Sequence, residues 1–235
     1  MTNIFANGIN GEKGFTGNSG FDGGSGIKGN DANCSIWDDD CAQIGGTGGN
    51  GTWAGSGGPG SHGGHGGTIV LDVDIFMGGL IIEAKGGNGG DGGEGGRGGN
   101  GGKGGRGGNG NDCEWGRHGG NGGNGGNGGD GSTGGNSGNG GTVIIRYNVD
   151  ASSGEPPINA NSGVVGRGGI AGIGGLGGAP GDDGATTGSF SASSDCTDMG
   201  PMPITGSIGQ TGKVGQNGQP GQSSKPQFLQ NPKKP

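Results

Sequence analysis

The chain has 235 residues, of which 76 are glycine and only 24% are hydrophobic, with a net charge of −7. Too little apolar area is available for a conventional globular core, no apolar run approaches bilayer length, and no basic block exists to neutralise a nucleic-acid backbone. Collagen is also excluded, because there are 10 prolines and the glycine register is interrupted.

The opening, MTNIFANGINGEKG, lacks the charged head and apolar middle of a secretion signal. It is read as a chain that stays inside or leaves by a route needing no signal. From residue 8 a period of three begins, and it recurs in six blocks: 8–31, 45–68, 86–112, 119–142, 163–186 and 206–221. The third reads GGN GGD GGE GGR GGN GGK GGR GGN. A flexible linker has no reason to keep phase or match lengths, so the blocks predict order. The period points to left-handed polyglycine II (polyproline II-type) helices, three residues per turn and about 3.1 Å rise. Such helices have no internal hydrogen bonds, so their N–H and C=O groups must be satisfied by neighbours. The expected fold is a bundle of about six antiparallel helices with a small β-sheet end and no α-helix. Blocks of the type Gxx, with one glycine face, belong at edges, and GGx blocks belong inside. The row Asn88, Asp91, Glu94, Arg97, Asn100, Lys103, Arg106 and Asn109 is then a solvated face.

Between blocks the pattern changes. TIVLDVDIF (68–76) and LIIEAK (80–85), joined by a glycine turn, read as a β-hairpin over 68–85; TVIIRYNV (142–149) reads as a third strand. Successive antiparallel blocks place these strands and both termini, including the tail 222–235, at one end. The loops 32–44, 113–118 and 187–205 then lie at the other end, and they hold all four cysteines. Four cysteines allow three pairings. The expectation is Cys34–Cys41 closing its own loop and Cys113–Cys196 tying the other two; free thiols are the alternative. Zinc is disfavoured, since the usual C-x₂₋₄-C spacing is missing.

Loops on a rigid scaffold carry function, and these offer Trp37, Asp38, Asp39 and Asp40, then Trp115, Arg117 and His118, then Phe190 and Asp195. Tryptophan and arginine dominate binding hot spots; the competing reading is that each Trp packs a lid. Val164, Ile170, Ile173 and Leu176 form an apolar row suited to a partner or a neighbouring copy. Enzymatic readings find no support. GQTGKVG lacks the hydroxyl residue of a P-loop, GGNGGD lacks the nine-residue period of a calcium β-roll, and His62 and His65 sit a full turn apart. No nucleophile–base set, cofactor site or metal site is expected.

Glycine-rich three-residue blocks alternating with variable loops resemble the tail-fibre tip adhesins of T-even-like bacteriophages, across residues 8–221. That resemblance implies a sandwich of polyglycine II helices whose distal loops bind a host surface receptor, protein or glycan. It also implies contact with other virion proteins through the β end, and a location on the virion or outside the cell. The blocks also resemble springtail antifreeze proteins, which implies ice binding, although charged rows argue against it. A structural fibre or matrix protein is the third reading.

Overall fold

The computed structural model describes residues 2–34, 39–77, 79–111, 114–152, 154, 156–186, 196 and 198–232. Its strands, in chain order, are β1 (Thr2–Phe5), β2 (Asn33–Cys34), β3 (Asp39–Asp40), β4 (Thr68–Phe76), β5 (Leu80–Glu83), β6 (Thr142–Asp150), β7 (Ile158–Asn159) and β8 (Gln227–Gln230). The expected polyglycine II helix bundle with a small β end is corrected. The described residues contain no helix, and their sheets are two three-stranded parallel ones, β1-β5-β7 and β4-β6-β8, with a two-stranded pair β2-β3. The glycine-rich runs between them are extended chain held sideways by backbone hydrogen bonds.

Those bonds define two layers. One layer holds 8–31, 86–111 and 163–186: Gly11 donates to the Asn88 carbonyl at 2.7 Å, Gly14 to Asp91 at 2.8 Å, and Gly89 to Val164 at 2.8 Å, so neighbours run parallel. The other holds 45–67, 119–141 and 206–224, with Gly48 donating to Asn121 and Gly125 to Ser207, again parallel. Across layers the direction reverses: Gly90 donates to Ser61 and Gly93 to Gly58, each at 2.8 Å. Neighbours therefore run parallel within a layer and antiparallel between layers, and successive segments, which alternate layers, run antiparallel. Segments 8–31 and 206–224, which carry a single glycine in most triplets, lie at the two edges.

The geometry explains the GGx triplet. In 86–111, a Cβ on Gly89 would fall on the Gly135 carbonyl of the facing layer, and one on Gly90 on the Glu12 carbonyl of the edge segment. Two of every three positions therefore exclude side chains, and the third points outward. That outer row is more than a solvated face. Its main-chain N–H groups still need acceptors, and asparagine supplies them: Asn10 Oδ1 accepts from the Asn88 N–H at 2.8 Å, and Asn88 Oδ1 accepts from Val164 at 2.9 Å. In the second layer Asn50 accepts from Asn124, and Asn124 from Ser207, both at 2.8 Å. Recurrent Asn and Asp thus link neighbours laterally, doing with side chains what the carbonyls do elsewhere.

At one end the layers continue as the two sheets. The register carries through: Phe5 pairs with Glu83 in the sheet, and Gly8 then bonds to Lys85. Here alternating apolar residues replace glycine, because sheets pack with about 10 Å between them and the gap must be filled. Ile82, Val143 and Ile145 are fully buried, with Ile69, Phe76, Ala84 and Ala160 beside them. Phe76 stacks near Tyr147, their centroids 6.2 Å apart. The expected 68–85 hairpin is corrected: β4 pairs with β6 and β5 with β1 and β7, so the turn carries the chain from one sheet to the other. Successive segments alternate layers, and their strands must follow. Gly79, at φ 74°, makes that turn.

Glycine contact should be testable by one methyl group. Gly93→Ala, whose Cβ would meet the Phe15 carbonyl, is expected to cost about 3 kcal/mol or more. Gly24→Ala meets nothing within 4 Å and should be neutral or stabilise by roughly 0.5 kcal/mol; denaturant melts distinguish the two. Asn127→Ala, which removes the acceptor for the Gln210 N–H at 2.9 Å, should lose about 1 kcal/mol in the same assay.

Candidate functional site

The end opposite the sheets gathers the loops. β2 and β3 pair antiparallel, Asn33 with Asp40 and Cys34 with Asp39, forming a short hairpin after the first edge segment. Asn111 and Glu114 make an isolated bridge, and the Glu114 side chain is fully buried. Cys41 and Cys196, 155 residues apart, form a disulfide with Cα atoms 5.6 Å apart. Both expected pairings, Cys34–Cys41 and Cys113–Cys196, are thereby corrected. Cys41 precedes the second segment and Cys196 follows the fifth, so the bond ties two loops that sequence distance kept apart. The side chain of Cys34, and Cys113 as a whole, lie outside the described residues. The Glu114 carboxylate and both bonded sulfurs approach within 4.8 Å, but sulfurs in a disulfide are not the thiolates a metal needs.

The loop 114–118 is fixed by the end of the fifth segment. His118 Nδ1 lies 2.9 Å from Asp183 Oδ1, and the Gly119 N–H donates to the same oxygen at 3.2 Å. The Arg106 Nε donates to the Asp183 carbonyl at 3.3 Å, and the Gly116 N–H to Thr186 Oγ1 at 3.1 Å. The His118 N–H reaches the Met199 carbonyl at 3.0 Å. Hydrogen bonding from His118, aided by Gly119, holds the Asp183 carboxyl below its ordinary value of 3.8. Lys28, which grips both Asp31 oxygens at 2.6 and 2.7 Å, together with the Asn109 N–H, does the same for Asp31. Gly200, at φ 85°, lets the return chain turn against Ile44.

Of the residues singled out for contact, Trp115 is 40% exposed and Asp40 is exposed, both at this end. Arg117 and His118 are half-buried. His118 is engaged with Asp183, and the Arg117 Nε is buried with no acceptor among the described residues. Trp37, Asp38, Phe190 and Asp195 lie outside the described residues; Asp39 is described only by its backbone in β3. The sequence reading missed Asp183 and Thr186, although the DD pair interrupting the glycine rows at 182–183 marked the place. His62 and His65 line a cleft of about 320 Å³ near the sheet end with Asn136 and Asn139. They act as asparagine does elsewhere, each Nδ1 accepting a backbone N–H, from Asn136 and Asn139, at 2.9 Å. The apolar row Val164, Ile170, Ile173 and Leu176 is exposed on the outer face of the fifth segment.

No protein-family model matches the chain, and no curated protein is similar to it. Among solved structures, a nine-helix polyproline type II bundle, the springtail antifreeze protein of Granisotoma rainieri, is 24% identical, over 68% of this chain and 94% of that one. Its TM-score is 0.14, and at that value the likeness carries no argument about this chain. None of these comparisons returns a tail-fibre adhesin. No helix among the described residues is long and apolar enough to cross a membrane.

The Asp183 contact sets a pH dependence. Its folded pKa lies below the unfolded one, so its stabilisation is present above the unfolded value and is lost as pH falls through the folded value. Asp183→Asn should therefore melt earlier than wild type at about pH 6, and the gap should close in acid below 3.8. Thermal melts across that range provide the check; a gap that persists in acid contradicts the assignment.

Proposed function

We propose that this chain is a non-enzymatic receptor-binding protein of a bacteriophage tail, displayed on the virion or outside the cell, whose loop end contacts a host-surface protein or glycan. The observation that supports it is the polarity of the scaffold. Both terminal strands, β1 and β8, belong to the sheet end. The hairpin β2-β3, Trp115 and the Cys41–Cys196 bond belong to the other. A scaffold of main-chain hydrogen bonds is stiff and chemically repetitive, while the end opposite the sheets carries a cross-linked group of loops. Variable chemistry on a rigid support is the usual arrangement for recognition. Attachment to other virion proteins would use the sheet end, with the exposed row Val164, Ile170, Ile173 and Leu176 as a lateral contact.

The test is adsorption. Labelled chain should bind a subset of bacterial strains and compete with the phage that infects them. Trp115→Ala and Arg117→Ala should weaken binding tenfold or more, the scale of a hot-spot residue, with melting temperatures followed to separate contact from folding. Binding unaffected by both variants, or ice crystals reshaped by the pure protein, would overturn the assignment.

A further inference from the structure

Exposed apolar side chains line the outer face of the fifth segment and both edges, and those on the edge formed by residues 8–31 are spaced symmetrically along it. Its outward row carries Ile9, Phe15, Phe21 and Ile27 at six-residue intervals, each between 71% and 83% exposed. Phe15 lies against Gly58 and Ile27 against Gly46, so the row is seated on the second segment rather than projecting freely. Single exposed apolar residues need no explanation, whereas a regular line of four large ones marks an interface.

We propose that this edge is a dimer seam, on which a second copy of the chain docks through the same row, antiparallel, about a twofold axis near Asn18. The spacing is symmetric about that residue: the axis brings Phe15 to Phe21 of the second copy and Ile9 to its Ile27. An isologous contact needs such self-complementarity and closes at two subunits. Charge selects the direction. The antiparallel arrangement sets Glu12 opposite Gly24 of the second copy, where no atom lies within 4 Å of the missing Cβ, while Lys13 and Asp22 stay engaged within the layer, with Glu94 and the Asn100 N–H. A parallel pair would instead place Glu12 against Glu12. The bulky row also keeps the edge from growing: a further glycine segment would need bare Cα atoms where these side chains stand. The inference does not rest on the function proposed above.

Light scattering on a size-exclusion column should give twice 22.2 kDa for wild type. The Phe15→Glu/Phe21→Glu double variant should give 22.2 kDa, with its melting temperature retained because both positions are exposed. Ile208→Glu/Val214→Glu, on the opposite edge, should remain dimeric. Asn18→Cys should cross-link to itself on oxidation, with position 18 joined to position 18 in the recovered peptide. A wild type that stays monomeric at every concentration overturns the proposal. So does a dimer lost in the Ile208→Glu/Val214→Glu variant but kept in Phe15→Glu/Phe21→Glu, and so does failure of the position-18 cross-link.

Discussion

Everything in this molecule depends on how closely two main chains can approach when neither carries a Cβ. Glycine loses more conformational freedom on ordering than any other residue, at about 1–2 kcal/mol of backbone entropy per residue. No oily core offsets that cost over most of the chain. The compensation is the saturation of lateral hydrogen bonds, as Gly87, Gly90 and Gly93 each donate across the layers at 2.8 Å. Each bond is modest in net terms, but a buried amide left unpaired is expensive. The lattice is therefore cooperative by exclusion: a segment that fails to dock exposes its neighbours' unpaired groups.

The third residue of the triplet completes this scheme. Once two rows are committed to contact, the outward residue still has an N–H facing along its layer. Asn and Asp are short enough to accept it and are indifferent to solvent on their other atoms. Histidine at 62 and 65 and serine at 56 reach the same kind of donor. A row of asparagines on an exposed surface is thus a structural component. At the sheet end the same two layers diverge, and side chains such as Ile82, Val143 and Ile145 take over the space that main chain filled before. The protein changes its means of cohesion along its length without changing the register of its neighbours.

Much of this was readable in the residues. The glycine period showed which positions bear contact, and the single-glycine blocks marked the edges. The alternation in TIVLDVDIF and TVIIRYNV located the apolar core, with Ile69 and Val143 inside. The loop cluster followed from up-and-down tracing. The lateral work of Asn88 or Asn124 was not read, because a polar residue every third position looks the same whether it faces water or a neighbour's amide. The hairpin was misread for a related reason. Strand pattern and a glycine turn say that two strands are adjacent in sequence, not that they share a sheet.

What the sequence by itself determined was the local rule: bare rows in phase, so that main chain must satisfy main chain, and an apolar interval where it must not. Only the tertiary structure decided partners. Gly11 meets Asn88 and Gly89 meets Val164, yet any glycine row could in principle accept any other, because the contacting surfaces are chemically identical. The choice is made by connections and layer alternation, which no triplet encodes. The same reason governs Cys41 and Cys196: their bond spans 155 residues, and they meet because the loops that carry them lie at the same end of the lattice, where Gly200 also comes against Ile44.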